Sequence, residues 1–145
     1  MSPPPNLVAL ARAIALQHAL DPALVCAIVE QESSWDTHAI RYEPAFRTHY
    51  VVPLGLALTE EIARSISWGL MQVMGQSARE RGFAGKFLSA LCDPSNGLAA
   101  GCVVLAVKLS QASGDFPQAL ALWNGGSNPS YPSEVLARLA NYRVL

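Results

Sequence analysis

The stretch DPALVCAIVEQESSWDTH, residues 21–38, opens as a helix and ends in a crowd of acids. Asp21 followed by Pro22 is a capping residue with proline at the first helical position, a helix start. From there Val25, Ile28, Val29 and position 32 follow the i, i+3, i+4, i+7 spacing of one helical face. Position 32 is Glu32. A carboxylate on an apolar stripe loses hydration, which raises its pKa and suits it to act as a general acid. Glu30 lies about 200° around the helix and reads as a solvated surface acid. Asp36 falls past the helix end, where an aspartate commonly serves as a loop or capping residue. The alternative for Glu32 is that the stripe frays and the acid escapes to water. Spacing alone makes it a candidate.

Outward from this helix, the same cap-and-proline signal recurs at Asp93-Pro94, ahead of SNGLAAGCVVLAVKLSQASG. A stripe of Leu7, Leu10, Ala11, Ile14 and Ala15 predicts a helix over 6–20. Thr59 before Glu60, Glu61 and Ile62 reads as another helix start. Helices are also expected from Gln76, Asp115 and Pro132. No Asn-Gly hairpin signal separates alternating apolar runs. The expectation is an all-α, single domain over residues 1–145, of about seven helices, with one long irregular loop at about 36–58. Loops of that length are more often binding elements than spacers. This one carries Tyr42, Phe46 and Tyr50.

Half of the 145 residues are apolar, 14% are charged, and the net charge is −1. That excludes a disordered tail and supplies no field for steering phosphate, so no nucleic-acid partner is expected. Three cysteines cannot complete a disulfide framework, and Cys26 and Cys102 sit among apolar neighbours as core thiols. The N-terminus lacks a basic segment before its apolar run and is interrupted by Arg12, so it reads as a helix and not as a Sec signal. The longest small and apolar run, GLAAGCVVLAV at 97–107, has 11 residues. A membrane span needs ~20, so no membrane anchor is expected. His18, His38 and His49 lack metal-ligand spacing, and neither metal nor cofactor is expected.

QESSW (31–35) followed by SWGLMQVM (67–74) resembles the superfamily of goose-type lysozymes and soluble lytic transglycosylases (SLT). These enzymes cut peptidoglycan glycan strands. The likeness continues through DPSNGLAAGCVVLAVKL, through ALALWNGG where the family has Tyr-Asn-Ala-Gly, and through YPSEVLARLANY. Four ordered motifs over roughly residues 22–142 are far more specific than any one. The resemblance implies a lysozyme-like fold, with Glu32 as catalytic acid and Ser33 after it. Met71 and Gln72 would contact the strand from the turn that lines the glycan groove, with Ser67 and Trp68 beside them; Trp123 and Asn124 match the family's cleft wall and Tyr131 the aromatic near the last helix, all as substrate-binding residues. Asn96 falls at the family's helix asparagine, a structural position. Trp123 in place of Tyr loses a hydroxyl and keeps a stacking surface. Ser33 and Gly69 are 36 positions apart, more than the usual SLT spacing. The intervening RYEPAF is similar to a stretch of some phage-type muramidases and brings Glu43 toward the cleft.

The resemblance implies a lytic transglycosylase acting on the MurNAc–GlcNAc β-1,4 linkage. Glu32 would protonate the leaving oxygen and then take a proton from the C6 hydroxyl of N-acetylmuramic acid, giving a 1,6-anhydro product. A hydrolytic muramidase would instead position water with a second acid, Glu43 or Asp36. Glu43 could equally do no more than pair with Arg41 or Arg47. A non-catalytic glycan-binding module is the third reading, and the presence of Glu32 argues against it. Without the motifs, Trp68, Trp123 and Met71 would be assigned to packing. The expected partner is a glycan strand, met by a monomer in the periplasm or outside the cell. Delivery would be by phage, as for an endolysin, or by an export route other than Sec.

Overall fold

The computed structural model describes residues 2–143. Residues 1, 144 and 145, part of the expected single domain, lie outside the described residues. The described residues are mostly helical, with eight α-helices and one small sheet. In order it forms α1 (Pro5–Gln17), α2 (Pro22–Ser33), β1 (Ile40–Tyr42), α3 (Pro44–Phe46), α4 (Leu58–Arg64), β2 (Ile66–Trp68), β3 (Val73–Met74), α5 (Gly75–Glu80), α6 (Pro94–Gln111), α7 (Phe116–Asn124) and α8 (Tyr131–Arg138).

Helix α2 is the core. Ala23 to Val29, seven consecutive residues covering every direction around the axis, are all buried. It packs against α1 and α8, while α6 packs against α1, α5 and α7. Both cap-and-proline starts are realised. The Asp21 carboxylate accepts from the Ala23 amide at 2.8 Å, and that of Asp93 from the Ser95 amide at 3.0 Å. Helix α2 stops because Ser34 and Trp35 adopt left-handed backbone angles, φ of 50° and 66°. Such conformations cost about 1–3 kcal/mol each in non-glycine residues and persist where surrounding contacts hold them. Trp35 is held by its indole N–H donating to the Tyr142 hydroxyl at 3.0 Å.

Three sequence expectations are corrected. The segment 36–58 is built, not irregular. It contains β1, α3, a π-helical turn at Arg47–Val51 and a 3-10 turn at Val52–Leu54. Each piece is too short to show a period. The sheet, in the order β1-β2-β3 and antiparallel throughout, escaped for the same reason, its strands being two or three residues long. Helix α4 starts after Ala57, not at Thr59. Glu60 and Glu61, in its first turn, serve ion pairs. Glu60 holds Arg64 and Arg79 at 2.9 and 2.8 Å, and Glu61 holds Arg47.

The Glu61–Arg47 pair ties the π turn to α4, and the Glu43 amide donates to the Ser65 carbonyl at 2.9 Å. Register then aligns Arg41 with Ser67, and Ser67 with Met74. Directly paired residues share a sheet face, so these three side chains stand in one row. That row is one wall of a cleft.

Candidate active site

The cleft has a volume of about 800 Å³ and is open to solvent. Glu32 reaches it from the last turn of α2. Arg41, Glu43, Phe46 and Tyr50 enter from the 36–58 segment, and Ser67, Gln72 and Met74 from the sheet. Val104 and Lys108 come from α6, and Leu122 to Gly125 from the end of α7.

Glu32 is held from two sides on one oxygen. The Tyr131 hydroxyl donates to Oε2 at 2.7 Å and the Trp123 indole N–H donates to the same atom at 3.0 Å. Oε1 accepts no hydrogen bond among the described residues and is not closed off from solvent. Burial pushes the Glu32 pKa above the ordinary carboxylate value; the Tyr131 and Trp123 donors and the nearby Arg41 charge pull the other way without cancelling it. A carboxyl group with one oxygen committed as acceptor carries its proton on the other. Here that is Oε1, on a residue that lines the cleft.

Trp123 thus supplies more than a stacking face: its N–H donates to Glu32. Tyr131 is buried and acts through Glu32. Its own pKa is pushed up by burial and by the Glu32 charge, so it remains a donor.

The remaining expected site residues divide. Ser67, Gln72 and Asn124 line the cleft. Gln72 has a φ of 51°, and its amide donates to the Ala39 and Gly69 carbonyls at 2.8 and 2.9 Å and accepts from the Ser67 hydroxyl at 3.0 Å. It stitches the β2–β3 turn in place. Ser33, Trp68, Met71 and Asp36 stand away from the cleft. The Ser33 hydroxyl donates to the Leu70 carbonyl at 2.8 Å, fixing the turn to α2. The Trp68 indole donates to the Ala63 carbonyl at 3.0 Å, inside the core. Met71 is fully buried against Gly101, where even a Cβ would meet its sulfur at 2.3 Å. Asp36 accepts from the His38 amide at 2.9 Å in a surface turn. Glu43 is in the cleft but pairs with Arg41 at 3.0 Å.

Glu30 is not a solvated acid. It accepts from the Tyr142 hydroxyl at 2.7 Å and pairs with Arg138, clamping the C-terminal end of the fold to α2. Sequence reasoning also passed over Lys108 and Val104. They lie four residues apart on α6, a spacing that shares a face, but one long apolar run masked it. Among the described residues no group of three or more His, Cys, Asp or Glu could hold a metal ion. Cys26 and Cys102 are buried thiols, pushed up to about 11 and about 12 by burial.

A mostly helical domain with one desolvated carboxyl group facing a long open cleft has the arrangement of a lysozyme-like glycosidase. The chain belongs to the transglycosylase SLT domain family, whose model matches residues 9–133. Membership indicates peptidoglycan-degrading activity of the lytic transglycosylase type. No curated protein and no solved structure matches the chain. No helix among the described residues is long and apolar enough to cross a membrane.

Proposed function

We propose that the protein is a peptidoglycan lytic transglycosylase that cleaves the MurNAc–GlcNAc β-1,4 linkage with Glu32 as its one catalytic acid and base. The observation that carries this reading is the double donation to Oε2 of a carboxyl group that lines the cleft and whose burial favours the protonated form, so that its proton falls to Oε1. As the bond between C1 and the leaving oxygen breaks, Oε1 gives its proton to that oxygen. The carboxylate so formed is stabilised by Tyr131, Trp123 and the Arg41 charge. It then takes the proton of the MurNAc C6 hydroxyl as that oxygen bonds to C1, closing the 1,6-anhydro ring and restoring the acid. No water is consumed. Ser67, Gln72, Trp123 and Asn124 supply the cleft surface along which the strand lies.

Hydrolysis is the second reading, because Glu43 lines the same cleft. Its ion pair with Arg41 at 3.0 Å speaks against it, since the carboxylate is already engaged by a cation instead of standing free to hold a water. Mass analysis of digested peptidoglycan separates the two. Muropeptides lighter by one water are expected; reducing-end products would leave hydrolysis standing. Glu32→Gln is expected to lower the rate by about 10²–10⁴-fold, the usual contribution of a general acid. Wild-type rates in that variant would remove the mechanism.

A further inference from the structure

The π-helical turn at Arg47–Val51 presents an aromatic pair that the chemistry at Glu32 does not use. Tyr50 lines the cleft with its side chain largely in solvent, 63% exposed. Its neighbour in the turn, Val51, is fully buried and pins the backbone. Phe46 backs the Tyr50 ring with centroids 5.0 Å apart, and also lines the cleft. Behind them Arg47 bonds both Glu61 and the Tyr42 hydroxyl, the latter at 3.2 Å. The Tyr50 hydroxyl makes no hydrogen bond among the described residues. A bulky aromatic is therefore held at the cleft by a buried anchor, an ion pair and the neighbouring Phe46 and His49 rings, with much of its surface in solvent and its hydroxyl unpartnered among the described residues. Single π turns occur frequently at functional sites.

We infer that Tyr50, backed by Phe46, forms a sugar-binding subsite for an N-acetylated hexopyranose of the strand, in a part of the cleft that the 36–58 segment adds. A pyranose in a β-1,4 chain has an apolar face of C–H bonds and a rim of hydroxyls. A tyrosine ring covers the face and its hydroxyl meets the rim, at low entropy cost because only two side-chain torsions are fixed. The subsite rests on the glycan-strand reading of the cleft. It deepens that reading by making affinity depend on a sugar beyond the bond being cut.

The probe is the β-1,4-linked hexasaccharide of N-acetylglucosamine, titrated calorimetrically into Glu32→Gln protein so that no bond is cleaved. Adding Tyr50→Ala is expected to weaken binding about five- to tenfold, with Tyr50→Trp restoring it and the thermal midpoint unchanged. In the active enzyme on soluble glycan, Tyr50→Ala should raise KM and leave kcat within about twofold. Equal affinity of the two proteins for the hexasaccharide would overturn the subsite and leave the catalytic reading intact. No binding to the Glu32→Gln protein itself would overturn the subsite together with the glycan cleft.

Discussion

The Tyr131 hydroxyl and the Glu32 carboxyl meet at 2.7 Å, although 99 residues separate them in the chain. The contact spans α2 and α8 and directs the Glu32 proton to the other oxygen. It also limits how far burial lifts the pKa, because a donor to the ionised form favours that form. Tyr131→Phe removes this brake, so Glu32 should hold its proton to higher pH. The alkaline limb of the pH–rate profile is expected to move upward, and kcat to fall about tenfold, the equivalent of ~1.4 kcal/mol of lost stabilisation of the carboxylate. Rates measured across pH on solubilised glycan check both. An alkaline limb that moved downward would contradict the assignment.

The same raised pKa has a consequence for folding. In the unfolded chain Glu32 titrates near its ordinary value of 4.5, whereas in the fold burial keeps it protonated to higher pH. The unfolded state therefore releases its proton first, and the Glu32 contribution to stability is fully present below about pH 4.5 and lost as pH rises toward the folded value. Glu32→Gln cannot ionise. It is expected to match the wild type in urea unfolding at pH 4 and to exceed it at pH 7. A gap of equal size at both pH values would show that ionisation is not its cause.

Glu30, two residues earlier on α2, secures the opposite end of the element that carries Tyr131. Its partners are Arg138, at the end of α8, and Tyr142. Arg138 is partly open to water, which screens that pair, so the buried Tyr142 hydroxyl carries the larger share. Glu30→Ala should cost about 1–3 kcal/mol, the range for leaving a buried hydrogen-bonding group unsatisfied. Denaturant unfolding measures it. Gln31→Ala, which loses contacts to Glu134 and Arg138 but leaves the Tyr142 hydroxyl on Glu30, serves as the milder comparison.

How far the sequence reveals this molecule follows from the range of the interactions. Asp21 and Asp93 cap their helices within three residues, and those two helices are legible from the chain. Glu32 is legible as a candidate because helical period is local. Its donors are not: Trp123 and Tyr131 lie 91 and 99 positions away, and only the ordered motifs brought them into view. Glu30 was misread for the same reason, its partners being 108 and 112 residues distant. Met71 illustrates the reverse limit, where a motif suggests a sugar contact and Gly101 on α6 instead leaves room for the side chain in the core.

Gly69, at the start of the turn that carries Gln72 into the cleft, is required twice over. Its φ is +70°, a conformation costly to any residue with a Cβ. A Cβ built there would also stand 2.5 Å from the Leu91 carbonyl oxygen, a backbone atom that cannot swing aside. Gly97 on α6 approaches the same oxygen, to within 2.4 Å of an added Cβ, so that carbonyl is enclosed by two glycines. Gly69→Ala therefore combines backbone strain of about 1–2 kcal/mol with a clash that must displace the turn or the 3-10 segment at Leu88–Cys92. The displacement reaches the site through two hydrogen bonds, from the Gly69 amide to the Ala39 carbonyl at 2.8 Å and from the Gln72 amide group to the Gly69 carbonyl at 2.9 Å. Loss of stability by at least ~1–2 kcal/mol is expected. At temperatures where the variant is still folded, KM for glycan should rise more than kcat falls, because Gln72 lines the cleft while Glu32 is held from the other side by Trp123 and Tyr131. Unfolding by urea and steady-state rates on soluble glycan test the two parts separately.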